Sequence, residues 1–378
     1  MITKNLAVAH YFKDLRDPRK HKWKCRHCFY EIIAVTIIAV ICGMTGWEEI
    51  VTYAKAKKKF LKKKLKIKFQ NGVPSADTFR RVISSIKPAE LQKAFVDWIQ
   101  ALCQHTNGAV ISIDGKTARR SYDKAKDKKA LHMIAAWAHA NGVSLGQVAT
   151  DSKSNEITAI PRLLEMLIIK NCIVVIDAEG CQKKIAEQIR EQEGDYLLAL
   201  KGNHPKLFKT VKDHFDKSTD VISNFEGRAE KGHGRIEKRS CRVISAKELG
   251  LPEVELNQWK DIKSFIMVEA KVIHLSTNHE SIEKRFYLSS LESTAERFLE
   301  CIRGHWGIET ALHWVLDVVM REDDSRIRDD DGAENFSVLR RIAINYLRQE
   351  SSDKGSLKSK QVKAALDDEY LEKILKLC

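Results

Sequence analysis

The chain lacks a hydrophobic run long enough to cross a bilayer. Its most apolar stretch, Phe29 to Met44, meets Glu31 early and falls short of the roughly 20 residues a spanning helix needs. A buried helix is expected there, and no membrane anchor. The first residues also lack a basic segment leading directly into an apolar core and a small-residue cleavage site, so no secretory signal is read. Cysteines number nine, an odd and mostly scattered set. A disulfide framework is therefore disfavoured, and a reducing cytoplasm is the expected compartment. The pair Cys25-Arg26-His27-Cys28, with His21 upstream, has no second pair at zinc-finger spacing, so coincidence outweighs metal binding. No internal repeat or long low-complexity tract is present.

What the chain has in excess is positive charge. Lys plus Arg number 65 against 51 Asp plus Glu, a net charge of +14 that speaks of association with polyanions rather than of fold. The excess is clustered. Nine lysines lie between Lys55 and Lys68; a second group holds Arg16, Arg19, Lys20, Lys22, Lys24 and Arg26; a third holds Lys116, Arg119, Arg120, Lys124, Lys126, Lys128 and Lys129. One such cluster would read as a solvated face. Three, one of them adjoining a candidate metal ligand, favour a phosphate backbone as partner.

At 378 residues the chain suits two or three domains. Residues 1–105 read as helical: the apolar run, then Trp47 to Phe60, Ser75 to Ile86, and Pro88 to Cys103. Ser75 supplies an N-cap and Pro88 suits a first helical turn. The lysine run between these helices reads as a flexible loop. From Ala109 the pattern turns to strands: Val110 to Ile113, Leu131 to Ala138 and Val143 to Ala149, with a hairpin at Asn141-Gly142. Ile157, Ile160, Leu163, Leu164 and Leu167 repeat at helical spacing before the strand Ile173 to Ile176. A helix Gln182 to Gln192 and a strand Tyr196 to Leu200 follow. The order β-β-β-α-β-α-β, with acids ending the first and fourth strands, is that of an α/β, ribonuclease H-like catalytic core, here residues 106–350.

Between about 207 and 291, strands over Arg239 to Ser245, Ser264 to His274 and Arg285 to Ser289 read as a β-rich insertion before the last catalytic helix, about Thr294 to Met320. A helix Ala333 to Gln349 presents Phe336, Leu339, Ile342, Ala343 and Tyr346 on one face. Residues 351–378 form a tail, a polar linker and then an amphipathic helix around Val362 to Leu377.

Three acids fall where one chemistry would place them: Asp114 after Val110-Ile111-Ser112-Ile113, Asp177 after Ile173-Val174-Val175-Ile176, and Glu309 on a helix. Carboxylates on neighbouring strand ends, with a third on a helix packed over them, can hold paired divalent cations that clamp the attacking and leaving oxygens of a phosphoryl displacement. Glu179, Asp151, Glu322, Asp323 and Asp324 are rival ligands. His305, Glu309 and His313, four apart, share one helical face. Histidines could imply zinc, but magnesium and manganese prefer the carboxylate oxygens available here. Glu309 is therefore the expected ligand and His305 a phosphate or substrate contact, while His313 and Trp314 suit core packing equally well.

Together these segments resemble the DDE transposases of bacterial insertion sequences, in the H-repeat and Rhs-element-associated group. The resemblance is carried by Gly72-Val73-Pro74-Ser75-Ala76-Asp77-Thr78-Phe79, Ile113-Asp114-Gly115-Lys116, Val175-Ile176-Asp177-Ala178, Asp195 to Asn203, Gly234-Arg235-Ile236-Glu237, and His305-Trp306-Gly307-Ile308-Glu309 with Leu312 to Val318 and Glu322-Asp323. It implies Asp114, Asp177 and Glu309 as the catalytic and metal-binding triad, two Mg²⁺ or Mn²⁺ ions, and a helical associated domain before the core. It further implies cleavage at element ends and strand transfer into target DNA by a homodimer assembled on double-stranded DNA. A catalytically inactive DNA-binding relic, or a nuclease of the same fold without strand transfer, are the alternatives. Lys116, Arg119, Arg120, Lys201, Asn203, Arg235, Arg303, His305 and Trp306 are the expected DNA contacts. Related enzymes carry Tyr, Arg and Lys around the Glu where this chain has Ile302, His305 and Leu316, so their terminal-phosphate contact and hairpin step are not carried over.

Overall fold

The computed structural model describes residues 11–102, 108–122, 129–150, 156–218, 221–232 and 234–376. Asp151, the lysines at 124, 126 and 128, and the expected helix ends Cys103 and Leu377 lie outside them. The helices are α1 (Phe29–Ile41), α2 (Trp47–Ala56), α3 (Lys58–Leu65), α4 (Ala76–Ser84) and α5 (Pro88–Leu102). After strands β1 (Val110–Ala118), β2 (Leu131–Ala138) and β3 (Val143–Ala149) come α6 (Glu156–Met166), β4 (Ile173–Ile176), α7 (Lys183–Glu191), β5 (Asp195–Leu200) and α8 (Pro205–Lys217). Strands β6 (Ser223–Glu226), β7 (Glu230–Gly232), β8 (Arg235–Ser245), β9 (Ser264–His274) and β10 (Glu280–Ser289) follow. The chain closes with α9 (Ala295–Ile308), two π-turns (Glu309–His313 and Val315–Val319), α10 (Gly332–Gln349), α11 (Leu357–Leu366) and α12 (Asp368–Lys376). It divides into two compact bodies. The first holds Met1–Gln104, Gly115–Lys153 and Glu309–Cys378; the second holds His105–Asp114 and Ser154–Ile308.

In the first body α1 is buried at every position except Tyr30, as its unbroken apolar run demands. Glu31 is tolerated there because its carboxylate accepts the backbone N–H groups of Lys68 and Phe69 at 2.8 and 3.2 Å. Ser75 caps α4 by accepting the Thr78 N–H at 3.2 Å. The β2–β3 hairpin is antiparallel, and Gly142 at its turn takes φ +61°, a left-handed conformation that glycine adopts without strain. Helix α10 is the axis of this body. Its expected face, Phe336, Leu339, Ile342, Ala343 and Tyr346, is buried. Trp47 meets Phe336 edge-on at 5.3 Å, and Trp98 stacks on Tyr346 at 5.1 Å. Asn345 exchanges two 2.9 Å hydrogen bonds with the backbone of Ser144 on β3. Asn335 donates to the carbonyls of Ile83 and Ile86 at the C-terminal end of α4, both at 2.8 Å.

Two expectations are corrected here. The lysine run is not a loop: Lys58–Leu65 is helix, because Phe60, Leu61 and Leu65 recur on one side and bury. Two of its lysines reach the C-terminal helix, Lys57 to Asp368 at 2.7 Å and Lys64 to Glu372 at 2.9 Å. The tail is two short helices rather than one, broken where Asp367 leaves helical geometry and caps the next turn through the Glu369 and Tyr370 N–H groups.

The second body is a sheet in the order β1-β4-β5-β10-β9-β8-β6, with β7 also on β8. The β1–β4 and β4–β5 pairs are parallel and all pairs beyond are antiparallel. The strands between 207 and 291 are longer and more numerous than expected: β8 begins at Arg235, β10 at Glu280, and β6 and β7 are additional. Helix α9 covers the sheet, packing Phe298, Leu299 and Ile302 on Val175, Leu197, Val243 and Ile266. The chain order β-β-β-α-β-α-β is the one expected. Among the described residues no helix is long and apolar enough to cross a membrane.

Glu350, after α10, ties the tail to the rest of the first body. Burial alone would raise its carboxyl, but hydrogen bonds from Ser352, the Asp353 N–H and the Tyr370 hydroxyl outweigh it and hold the pKa at about 2. An unfolded carboxyl titrates near ~4.3, so this stabilisation is complete above that pH and drains away as pH falls toward 2. Glu350→Gln should lower the urea midpoint at pH 7 and flatten its decline between pH 5 and 3. An unaltered decline would remove Glu350 from this role.

Candidate active site

The register of β1 on β4 places two acids level. Ile113 pairs with Ile176, and the next residues are Asp114 and Asp177, one step past the last paired rung of two parallel strands. Neighbouring strands lie about 4.8 Å apart, and the carboxyl ends of parallel strands are where such sheets bind ligands. Both carboxylates are half-buried.

Asp177 is held by its own loop. Its Oδ1 accepts the Glu179 and Gly180 N–H groups at 3.1 and 3.3 Å, an Asx turn. Burial pushes its pKa up, while the Gly180 and Glu179 N–H groups and Lys201 pull against that. The loop is braced from the end of β5: the Asn203 amide donates to the Ala178 carbonyl at 2.6 Å, and the His204 ring lies 2.7 Å from the Cys181 carbonyl. Asn203, expected at DNA, therefore commits its amide to positioning this loop. Lys201 beside it is exposed.

Glu309 opens the first π-turn with an exposed carboxylate, 3.3 Å from Nδ1 of the buried His313. Burial lowers the His313 pKa, against the pull of Glu309. The helix expected over about Thr294 to Met320 is present over Ala295 to Val319, but its bonding passes from α to π after Ile308, and each π-turn admits one extra residue into the turn. Trp314, a core candidate, is 55 % exposed.

The rival acids downstream of Glu309 are committed elsewhere. Lys116 is buried and meets Asp317 at 2.6 Å, Asp323 at 3.4 Å and Glu322 at 3.6 Å. Glu322 also faces Arg340 and Arg341 at 3.7 and 3.6 Å and accepts the Ser337 hydroxyl at 2.8 Å. Asp323 receives the Arg119 N–H, and Asp324 pairs with Arg120 at 3.4 Å. Lys116 is therefore a buried structural cation rather than a surface contact, whereas Arg119 and Arg120 are exposed. Periodicity could not reveal this network, because two arginines on an amphipathic helix read as solvent-facing.

The remaining expected contacts lie on α9 and at the start of β8. Arg303 makes a bidentate pair with Glu230 at 2.7 and 2.9 Å. Trp306 is half-buried against the core, with the guanidinium groups of Arg239 and Arg285 over its ring at 5.4 and 4.5 Å. His305 is half-buried; Arg235 is exposed at the start of β8, 3.6 Å from Glu237. Arg239 and Arg285 were not singled out as partners of Trp306, since their contact depends on pairing between distant strands.

Gly180 tests how tightly the Asp177 loop is built. A Cβ there would lie 2.3 Å from Ile176 Cγ2 and 2.8 Å from Ile160 Cδ1. Gly180→Ala should destabilise the protein by about 1–3 kcal/mol through overpacking, read as a lower urea midpoint. An unchanged midpoint would show that the loop yields.

The chain matches two family models, the DDE_Tnp_1-associated domain over residues 9–99 and the transposase DDE domain over residues 95–346. It is 41 % identical over 377 residues to the transposase-like protein YncI of Escherichia coli O157:H7, covering 98 % of this chain and 95 % of that one. It is 41 % identical over 363 residues to the H repeat-associated protein YhhI of Escherichia coli (strain K12), covering 94 % of each. A cryo-EM structure of the piggyBac transposase synaptic complex with hairpin DNA aligns over 99 % of this chain and 79 % of that one, at 11 % identity and a TM-score of 0.42, too low to carry a structural argument. The chain belongs to the DDE transposases, in their H-repeat-associated group.

Proposed function

We propose that this protein cleaves DNA strands at the ends of an insertion sequence and transfers the freed 3′ ends into target DNA, with Asp114, Asp177 and Glu309 as its catalytic and metal-binding residues. The observation that carries the reading is the level placement of Asp114 and Asp177 at the ends of two parallel strands. The strand order and the β-rich segment before α9 support a ribonuclease H-like core over residues 106–350, with an insertion at about 207–291. Residues 1–105 are the helical associated domain and 351–378 the tail.

The donor chemistry fits a hard divalent cation. Two half-buried carboxylates and an exposed third offer only oxygens, and burial that raises the Asp177 pKa is relieved when a cation neutralises the charge. Two Mg²⁺ or Mn²⁺ ions, when bound, would activate water or a 3′-hydroxyl and stabilise charge on the phosphorus. The protein's own part is positional. The Asx turn aims Asp177, the Asn203 brace fixes that turn, and Lys201 adds positive charge beside it.

The DNA surface is assigned to Arg119, Arg120, Lys201 and Arg235, with Arg303, His305 and Trp306 on α9. Lys116 is left out because its ammonium is enclosed by three carboxylates. Double-stranded element ends and target DNA are the partners, with a homodimer assembled on them, in the bacterial cytoplasm. A nuclease without strand transfer uses the same residues, and only a joining assay separates the two. An inactive relic is the remaining alternative.

Incubation with Mg²⁺ and DNA bearing the element's own termini, scored for cleavage and joining, tests the proposal. Asp114→Asn, Asp177→Asn and Glu309→Gln should each abolish cleavage while DNA affinity changes less than about twofold. Two substitutions together should be little worse than one, since the three act as a unit. Full activity in any single variant would remove that residue from the triad.

A further inference from the structure

The Cys25-Arg26-His27-Cys28 segment and the cations before it form one wall of a cleft in the first body that the proposed chemistry does not use. The cleft measures about 700 Å³; its other wall is the loop at Val73 and the face of α4 with Ser75, Thr78 and Arg81. A second cleft of about 450 Å³ shares Arg19, Lys20 and Ser85 with it and continues the groove to Arg16 and Lys87.

The cations here differ in role. Arg19 is a strut: Asp17 holds its guanidinium at 2.9 and 2.8 Å, and it donates to the His27 carbonyl at 2.9 Å, fixing the segment's path. Asn71 anchors the same segment by donating to the Arg26 carbonyl. Lys20, Lys24 and Arg26 line the cleft with no carboxylate partner among the described residues. Across from them stands the N-terminus of α4, where the Ser75 and Thr78 hydroxyls lie 3.0 Å apart and share a hydrogen bond, leaving one hydroxyl hydrogen between them to donate.

Trp23 is the second observation. It is 81 % exposed, the most exposed large apolar side chain among the described residues, and the Lys24 ammonium lies 4.7 Å from its ring centre. An indole left in water beside unpaired cations, on a segment tied down at both ends, has the composition of a nucleic-acid surface: charge for the backbone and a flat ring for a base. A merely solvated basic face needs neither the concavity nor the tryptophan.

We infer that this groove seats the phosphate backbone of DNA, with Trp23 stacking on a base that has left the duplex at its edge. The inference rests on DNA as the partner and adds a contact surface remote in sequence from the triad. The phosphates pair with Lys20, Lys24 and Arg26, and the hydroxyl hydrogen that the Ser75–Thr78 pair has left over adds one hydrogen bond. No bond is made or broken here; the site is for holding.

The test uses the full chain carrying Asp177→Asn, in EDTA, so that no strand is cut. Anisotropy is followed with fluorescein-labelled duplex and with the matching single strand over a range of salt. Lys20→Gln/Lys24→Gln/Arg26→Gln should make the log–log salt slope on duplex shallower by between about 1 and 3, as each lost phosphate contact removes about 0.9. Trp23→Ala should weaken single-strand binding by about 5-fold to 100-fold with little change in slope, and Trp23→Phe should restore most of it. An unchanged slope in the triple variant overturns the backbone seat, and equal losses on duplex and single strand with Trp23→Ala overturn the stacking. A parent chain that binds neither strand form defeats the transposase reading as well; a parent that binds normally while both variants match it defeats this inference alone.

Discussion

The parallel pairing of β1 with β4 is the constraint on which the site depends. Backbone hydrogen bonds between the two strands bring Ile113 level with Ile176, and chain continuity does the rest, delivering Asp114 and Asp177 together at the strand ends. Side chains alternate faces along a strand, so a slip of one residue would carry an aspartate to the opposite side of the sheet. Both faces of these strands are buried, so a slip would press side chains into space packed for others, Ser112 for instance into a place filled by an isoleucine. Packing along the strands thus sets the position of two charged groups at their ends.

A second constraint lies farther along the same strand. Two residues beyond Asp114, Lys116 is enclosed by Asp317, Glu322 and Asp323, and Glu322 in turn faces Arg340 and Arg341 on α10. Lys116, Glu322, Arg340 and Arg341 are buried, so they are costly to desolvate and weak sources of net stability, but removing Glu322 would strand the cations around it, at about 3–5 kcal/mol. The network's effect is to make one arrangement of β1, the segment after the π-turns and α10 strongly preferred over any other. It also occupies the acids that compete with Glu309 in sequence for the role of third ligand.

Much of this was legible in the residues because strands and buried helices announce themselves by periodicity. The runs Val110 to Ile113 and Ile173 to Ile176 read as strands ending in acids, and the Phe336 to Tyr346 face read as core; both stand in the structure. The lysine run was misread because charge density masked the three apolar residues, Phe60, Leu61 and Leu65, that make it helix. The π-turns were invisible because nothing in Glu309 to Val319 distinguishes five-residue from four-residue bonding until the turn is closed. Lys116 was assigned to the DNA surface because a cation is read as exposed unless its acids are known, and those acids lie some 200 residues away. Trp306 was noticed as an aromatic beside Glu309, but its two arginines come from β8 and β10 and depend on the sheet for their position.

The claim that the strand-end carboxylates are a cation site can be tested without any DNA. Crystals soaked in Mn²⁺ and measured at the manganese absorption edge should show anomalous density between Asp114 and Asp177 in the wild-type protein, and none there in Asp177→Asn. Density ligated by Glu322 or Asp323, or by neither strand-end aspartate, would contradict the account.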